Sequence, residues 1–96
     1  MSAAHTIRDE FVRFTLPNGD RGLALLPTIP EDAPFRVREG IARRRITATT
    51  GKCPCGAVVD YEAAQVAGVG VAEARHEARC PADTAKLLKA VRRWAR

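Results

Sequence analysis

The residues best suited to chemistry in this chain are three cysteines and a histidine. They stand as Cys53-Pro54-Cys55-Gly56 and, with twenty residues between Cys55 and His76, as His76-x-x-x-Cys80. All three cysteines and one of the two histidines fall in this pattern. Zinc prefers four tetrahedral ligands, and thiolate and imidazole suit it. A spacing of four places His76 and Cys80 on one face of a helical turn, where both reach a single ion. Gly56 lets the backbone turn tightly after the cysteine pair, and Pro54 stiffens it. The competing reading is three free cysteines, which behave as small hydrophobes, and an ordinary histidine. If one of the four is not a ligand, the replacements within the chain are Asp60, Glu77 or His5.

Such a site is expected to be structural. Catalytic zinc keeps one coordination position open for water, and four protein ligands close it. His76-Glu77-x-x-Cys80 shares its first two residues with the metalloprotease His-Glu-x-x-His helix. Three thiolates would nonetheless leave the ion too electron-rich to activate water. The deaminase pattern needs a His-x-Glu ahead of its cysteines, and none precedes Cys53. No Gly-rich phosphate loop occurs, and no nucleophile–His–acid set can be assembled around His5. The expectation is a protein that is not an enzyme and takes no small-molecule substrate, with one structural Zn2+ as its cofactor.

The second group is basic. The formal net charge is +5, and arginine outnumbers lysine. Arg36, Arg38, Arg43, Arg44 and Arg45 precede the cysteine pair, while Lys86, Lys89, Arg93 and Arg96 follow one another at helical spacing near the end. From Thr84 onward there is no acidic residue. Arginine grips phosphate with a planar fork, so Arg43, Arg44, Arg45, Lys86, Lys89, Arg93 and Arg96 are the candidate contacts to a nucleic acid or protein partner. Aromatics on which single-stranded bases would stack do not interleave with these clusters. The bland alternative for each cluster is a solvated face.

The elements that must position these groups are short. Residues 11–16 alternate in part and end at Pro17-Asn18-Gly19-Asp20, a turn signal. Residues 23–26 return as the partner strand of a β-hairpin. Three prolines within residues 27–34 make an extended connector. Residues 35–38 and 44–50 read as strands, the latter because it is rich in β-branched side chains. Gly51 breaks that run, and residues 57–61 read as a further strand, so the cysteine pair sits at a hairpin tip. Residues 62–70 mix helix formers with Gly68 and Gly70, whereas residues 71–79 read as helix. Pro81 opens a last helix over residues 81–95, with Asp83 in its first turn. Leu87, Leu88, Val91, Trp94 and Ala95 form its apolar stripe, in which Trp94 is a core anchor.

At Cys53-Pro54-Cys55-Gly56 the chain resembles the Cys-Pro-x-Cys-Gly knuckle of zinc ribbons and treble clefs, shortened by one residue. At His76-x-x-x-Cys80 it resembles the helical half of a zinc finger with Cys-Cys-His-Cys ligands. The resemblance covers about thirty residues and implies the order strand, knuckle, strand, helix. The fold class expected is α+β, small antiparallel β-hairpins followed by C-terminal helices around one zinc. Residues 1–34 would supply the hairpin and connector, and residues 35–96 the zinc-binding knuckle and basic amphipathic helix, within one compact domain. The functions expected are a protein-interaction adaptor or regulator, a nucleic-acid-binding module, or a zinc-responsive factor. Residues 1–10 lack an apolar run, no stretch is long enough to span a bilayer, and an odd number of cysteines argues against a disulfide framework. A cytoplasmic protein with no membrane partner is the natural expectation. The Ala- and Arg-rich usage is that of a high-GC bacterial or phage genome.

Overall fold

The computed structural model describes residues 7–59, 61 and 74–95. Two antiparallel strands, β1 (Asp9–Thr15) and β2 (Arg21–Pro27), are followed by helix α1 (Phe35–Thr50) and helix α2 (Thr84–Trp94). The class is α+β.

The hairpin forms where the turn signal places it. Asp9 pairs with Pro27 and Thr15 with Arg21. Leu16 accepts from Gly19 N–H at 2.9 Å and donates to Asp20 O at 2.8 Å. Gly19 takes φ +92°, which a glycine adopts without a Cβ penalty. Asn18 Oδ1 accepts from Asp20 N–H at 3.0 Å, which fixes the loop from within. Val12, Phe14, Gly22, Ala24 and Leu26 share one face of the hairpin. The Phe14 ring lies over Gly22, where a Cβ would sit 2.6 Å from its Cζ. Tyr61 approaches the same ring at a centroid distance of 6.0 Å. After β2, Ala33 N–H donates to Pro30 O at 3.4 Å, so the proline-rich connector ends in a turn.

The strands expected at residues 35–38 and 44–50 are one helix. Val37, Gly40, Ile41 and Thr47 are buried at helical spacing, a period that the β-branched content concealed. The threonines tolerate the helix by bonding backward. Thr47 Oγ1 donates to Arg43 O at 2.6 Å, Thr49 Oγ1 to Arg45 O at 2.9 Å, and Thr50 Oγ1 to Ile46 O at 2.6 Å. Each hydroxyl is thereby satisfied on its own helix, which removes the local preference for strand. Gly51, expected to break a strand, is the left-handed C-cap of α1 at φ +86°.

The strand expected at residues 57–61 contracts to a single antiparallel bridge between Lys52 and Val58. Residues 74–77 take no regular form and residues 78–80 turn, so His76 and Cys80 do not share a helical turn as expected. Helix α2 also starts later than expected. Asp83 is its N-cap, accepting from Lys86 N–H at 3.3 Å, and Pro81 and Ala82 belong to the preceding turn. The expectations for residues 62–70 and 71–73, together with His5, Asp60 and Arg96, lie outside the described residues.

The core is small. Ala33, Val37, Ile41 and Leu87 form one buried cluster, flanked by Ile7, Ala90, Val91 and Trp94. Trp94 thus anchors the core, whereas Leu88 of the expected stripe is exposed. A second buried cluster comprises Cys53, Ala57, Cys80 and Ala82. Gly40 joins the two clusters: a Cβ there would lie 2.5 Å from Pro81 O and 2.7 Å from Leu87 Cδ1.

Candidate metal centre

The knuckle is built by three backbone hydrogen bonds. Cys53 N–H donates to Ala57 O at 2.9 Å, Gly56 N–H to Cys53 O at 2.9 Å, and Val59 N–H to Gly51 O at 2.9 Å. Gly56 takes φ +100°, so the one-residue spacer closes through glycine rather than through a longer loop. The opposite pair of donors comes from two consecutive turns. Cys80 N–H donates to Glu77 O at 2.9 Å, and Asp83 N–H to Cys80 O at 3.0 Å.

These segments bring Cys53, Cys55, His76 and Cys80 together, with all four donor atoms within 4.8 Å of one another. Cys53 Sγ lies 3.7 Å from Cys80 Sγ. His76 Nδ1 lies 3.5 Å from Cys55 Sγ and 3.8 Å from Cys80 Sγ. A tetrahedral zinc bonded at about 2.3 Å to sulfur and about 2.0–2.1 Å to nitrogen sets sulfurs about 3.8 Å apart and sulfur–nitrogen pairs about 3.6 Å apart. The three contacts have the lengths of tetrahedral edges. The group could therefore hold a metal ion, and its geometry is compatible with zinc. Glu77, named as a replacement ligand, is not in the cluster.

The surroundings are suited to thiolate. The backbone N–H groups of Glu77 and Ala57, with His76 and Cys53, bring the Cys55 thiol down to about 6, against a smaller upward push from burial. Burial pushes the Cys53 thiol up, opposed by Cys55 N–H. Ala82 N–H donates to Cys80 Sγ at 3.4 Å. Arg43 Nη1 approaches the same sulfur at 3.7 Å while its Nε donates to Glu39 Oε1 at 2.9 Å. Glu39 first and Cys80 second raise the Arg43 pKa. Three thiolates and a divalent cation sum to one negative charge, and Arg43 supplies its counterpart. Cys53 and Cys80 are buried, and Cys55 and His76 half-buried.

Arg43, Arg44 and Arg45, singled out as partner contacts, have hydrogen-bond partners within the chain. Successive residues of a helix point about 100° apart, so the run fans out in three directions. Arg43 reaches the sulfur cluster. Arg44 Nε donates to Ala82 O at 2.9 Å and its Nη2 to Thr84 Oγ1 at 2.8 Å, at the start of α2. Arg45 Nη1 donates to Pro27 O at 2.9 Å and its Nη2 pairs with Glu10 Oε1 at 2.7 Å, on the hairpin. Lys86, Lys89 and Arg93 are exposed on α2.

The sequence reading missed the supporting role of Arg43, the need for glycine at position 40, and Tyr61. The Tyr61 hydroxyl donates to Ala48 O at 2.6 Å and its ring covers Gly51. A glycine inside the helical period was the available signal for position 40. No described helix is long and apolar enough to cross a membrane. No protein-family description, curated protein or solved structure matches the chain.

Proposed function

We propose that this chain is a small non-enzymatic zinc-binding module that acts as a protein-interaction adaptor. The observation that carries the reading is the convergence of four donors, three thiols and an imidazole, with three of their separations at the length of tetrahedral edges. That ligand set fills the coordination sphere and leaves no position for a substrate water. Hydrogen bonds to the sulfurs and the adjacent guanidinium lower their nucleophilicity, which favours a structural ion. The ion would tie the knuckle to the turns ahead of α2, and Arg43 would tie both to α1.

The adaptor part rests on the outer face of the hairpin. Phe11 is directly opposite Leu25, with Leu23 beside them on the same face. They are 71%, 57% and 63% exposed. An apolar group of this kind on a short hairpin marks a surface that a partner covers. A protein is the partner that this apolar group suits, with Arg13 and Arg21 exposed beside it on the same face.

The test has two parts. Metal analysis of protein grown with zinc is expected to give one zinc per chain, and Cys53→Ser with Cys80→Ser is expected to abolish it. Affinity capture from the native host, after nuclease treatment, is expected to retain a defined protein that Phe11→Ser with Leu25→Ser releases. A zinc content near zero, or capture indifferent to the hairpin substitutions, would sink the respective half.

A further inference from the structure

A groove of about 980 Å³ runs between the start of α1 and the exposed side of α2. Five cations line it: Arg36 from α1, Arg79 from the turn beside Cys80, and Lys86, Lys89 and Arg93 from α2. No acidic residue is among its described lining residues. Its floor is apolar, and Phe35 and Trp94 contribute aromatic rings. Phe35 is 66% exposed. The tertiary fold therefore supplies what the linear pattern lacks, aromatics set among the cations.

We infer that this groove binds a short stretch of single-stranded nucleic acid, with phosphates on the five cations and bases against Phe35 and Trp94. Charge decides the sign of the occupant, because five cations with no acid among the described lining residues favour an anion and reward one with several charges most. The first turn of α1 holds no acidic side chain. Lys86 to Arg93 spans about 10 Å of helix at 1.5 Å per residue, a length that a few nucleotides of one strand cover. The volume is at the top of the range of small-ligand clefts, enough for a few nucleotides. A positive groove with aromatic platforms is the arrangement by which single strands are held without sequence readout. An acidic peptide would satisfy the charge but leave the exposed Phe35 face unused.

The inference does not depend on the hairpin surface, and the experiment separates the two. Anisotropy of a labelled oligothymidylate would be titrated with zinc-loaded full chain, and Trp94, the one tryptophan, would report proximity by its emission. Binding that perturbs Trp94 is expected, with a log–log salt slope of about −2 to −3.5, from three to five phosphates at about 0.7 each. Lys89→Glu with Arg93→Glu, both exposed, is expected to weaken binding more than tenfold without changing zinc content or circular dichroism. Phe35→Ala is expected to weaken it by about tenfold, within the range measured for lost base stacking. Phe11→Ser with Leu25→Ser is expected to leave it unchanged. Absence of binding, insensitivity to the charge reversals or to Phe35→Ala, equal affinity for duplex, or equal competition by polyglutamate would each overturn the assignment.

Discussion

At the scale of single residues, a metal site is decided by who stabilises the thiolates. Cys80 has a backbone donor in Ala82 and a cation in Arg43, and Cys55 has the N–H groups of Glu77 and Ala57. Partners of this kind are commonly worth about 10- to 100-fold in metal affinity. Arg43→Ala is accordingly expected to weaken zinc binding by about 10-fold while leaving one site per chain, measured by competition with a chromophoric chelator. Unchanged affinity would mean that the guanidinium serves only Glu39. Cys55 permits a pH prediction for the metal-free chain. Its thiol is lowered from 9.0 to about 6 in the fold, so the folded form favours the thiolate. The stability it contributes is present in full above pH 9 and is lost as pH falls through about 6. Alkylation rates of the zinc-free protein are expected to show one thiol titrating near pH 6. Three thiols titrating together near 9 would contradict the hydrogen bonds drawn to Cys55.

At the scale of elements, α1 is the strut on which the other parts hang. Three consecutive arginines fasten it to the cysteine–histidine cluster, to α2 and to the hairpin, and Gly40 lets Pro81 and Leu87 approach its backbone. Alanine at position 40 would gain about 1 kcal/mol in helix propensity. Its Cβ would also meet a carbonyl oxygen at 2.5 Å, which a packed backbone relieves only by moving. Overpacking of this kind costs about 1–3 kcal/mol. Gly40→Ala is therefore expected to destabilise the protein, by a margin visible as a lower urea midpoint, and a higher midpoint would refute the close approach. The start of α2 offers a milder check. Asp83→Ala removes the side-chain cap on Lys86 N–H and is expected to cost about 1 kcal/mol in the same assay. An unchanged midpoint would leave the cap without energetic weight.

For the whole molecule, the question is what holds two helices and a hairpin together over so little core. Val37 and Ile41 are the largest fully buried side chains among the described residues. Burying each contributes about 1.5–3 kcal/mol, a thin margin for a domain of this size. A metal site that forms only in the folded chain adds its binding free energy to folding. Chelation is expected to lower the melting temperature and to strip amide-exchange protection from Ile41 and Leu87, which sit next to the metal-linked turns. A melt unaffected by chelator would mean that the hydrophobic cluster suffices by itself.

Much of this was legible from local chemistry. The hairpin followed from Asn18-Gly19, because a turn is decided by the few residues in it. The convergence of Cys53, Cys55, His76 and Cys80 followed from residue type, because few other side chains suit such an ion, although not through the helical turn that a spacing of four suggested. The final helix and its Trp94 anchor followed from a 3.6-residue apolar period. What the chain between residues 35 and 50 would become was not legible, since β-branched side chains favour strand locally and only the burial of Val37, Gly40, Ile41 and Thr47 against other elements selects helix. The same holds for the backbone between His76 and Cys80, which turns instead of forming the helix that its spacing suggested. The fate of the arginines was also a tertiary matter: charge is visible in a sequence, but the direction in which a guanidinium points depends on what the fold sets beside it.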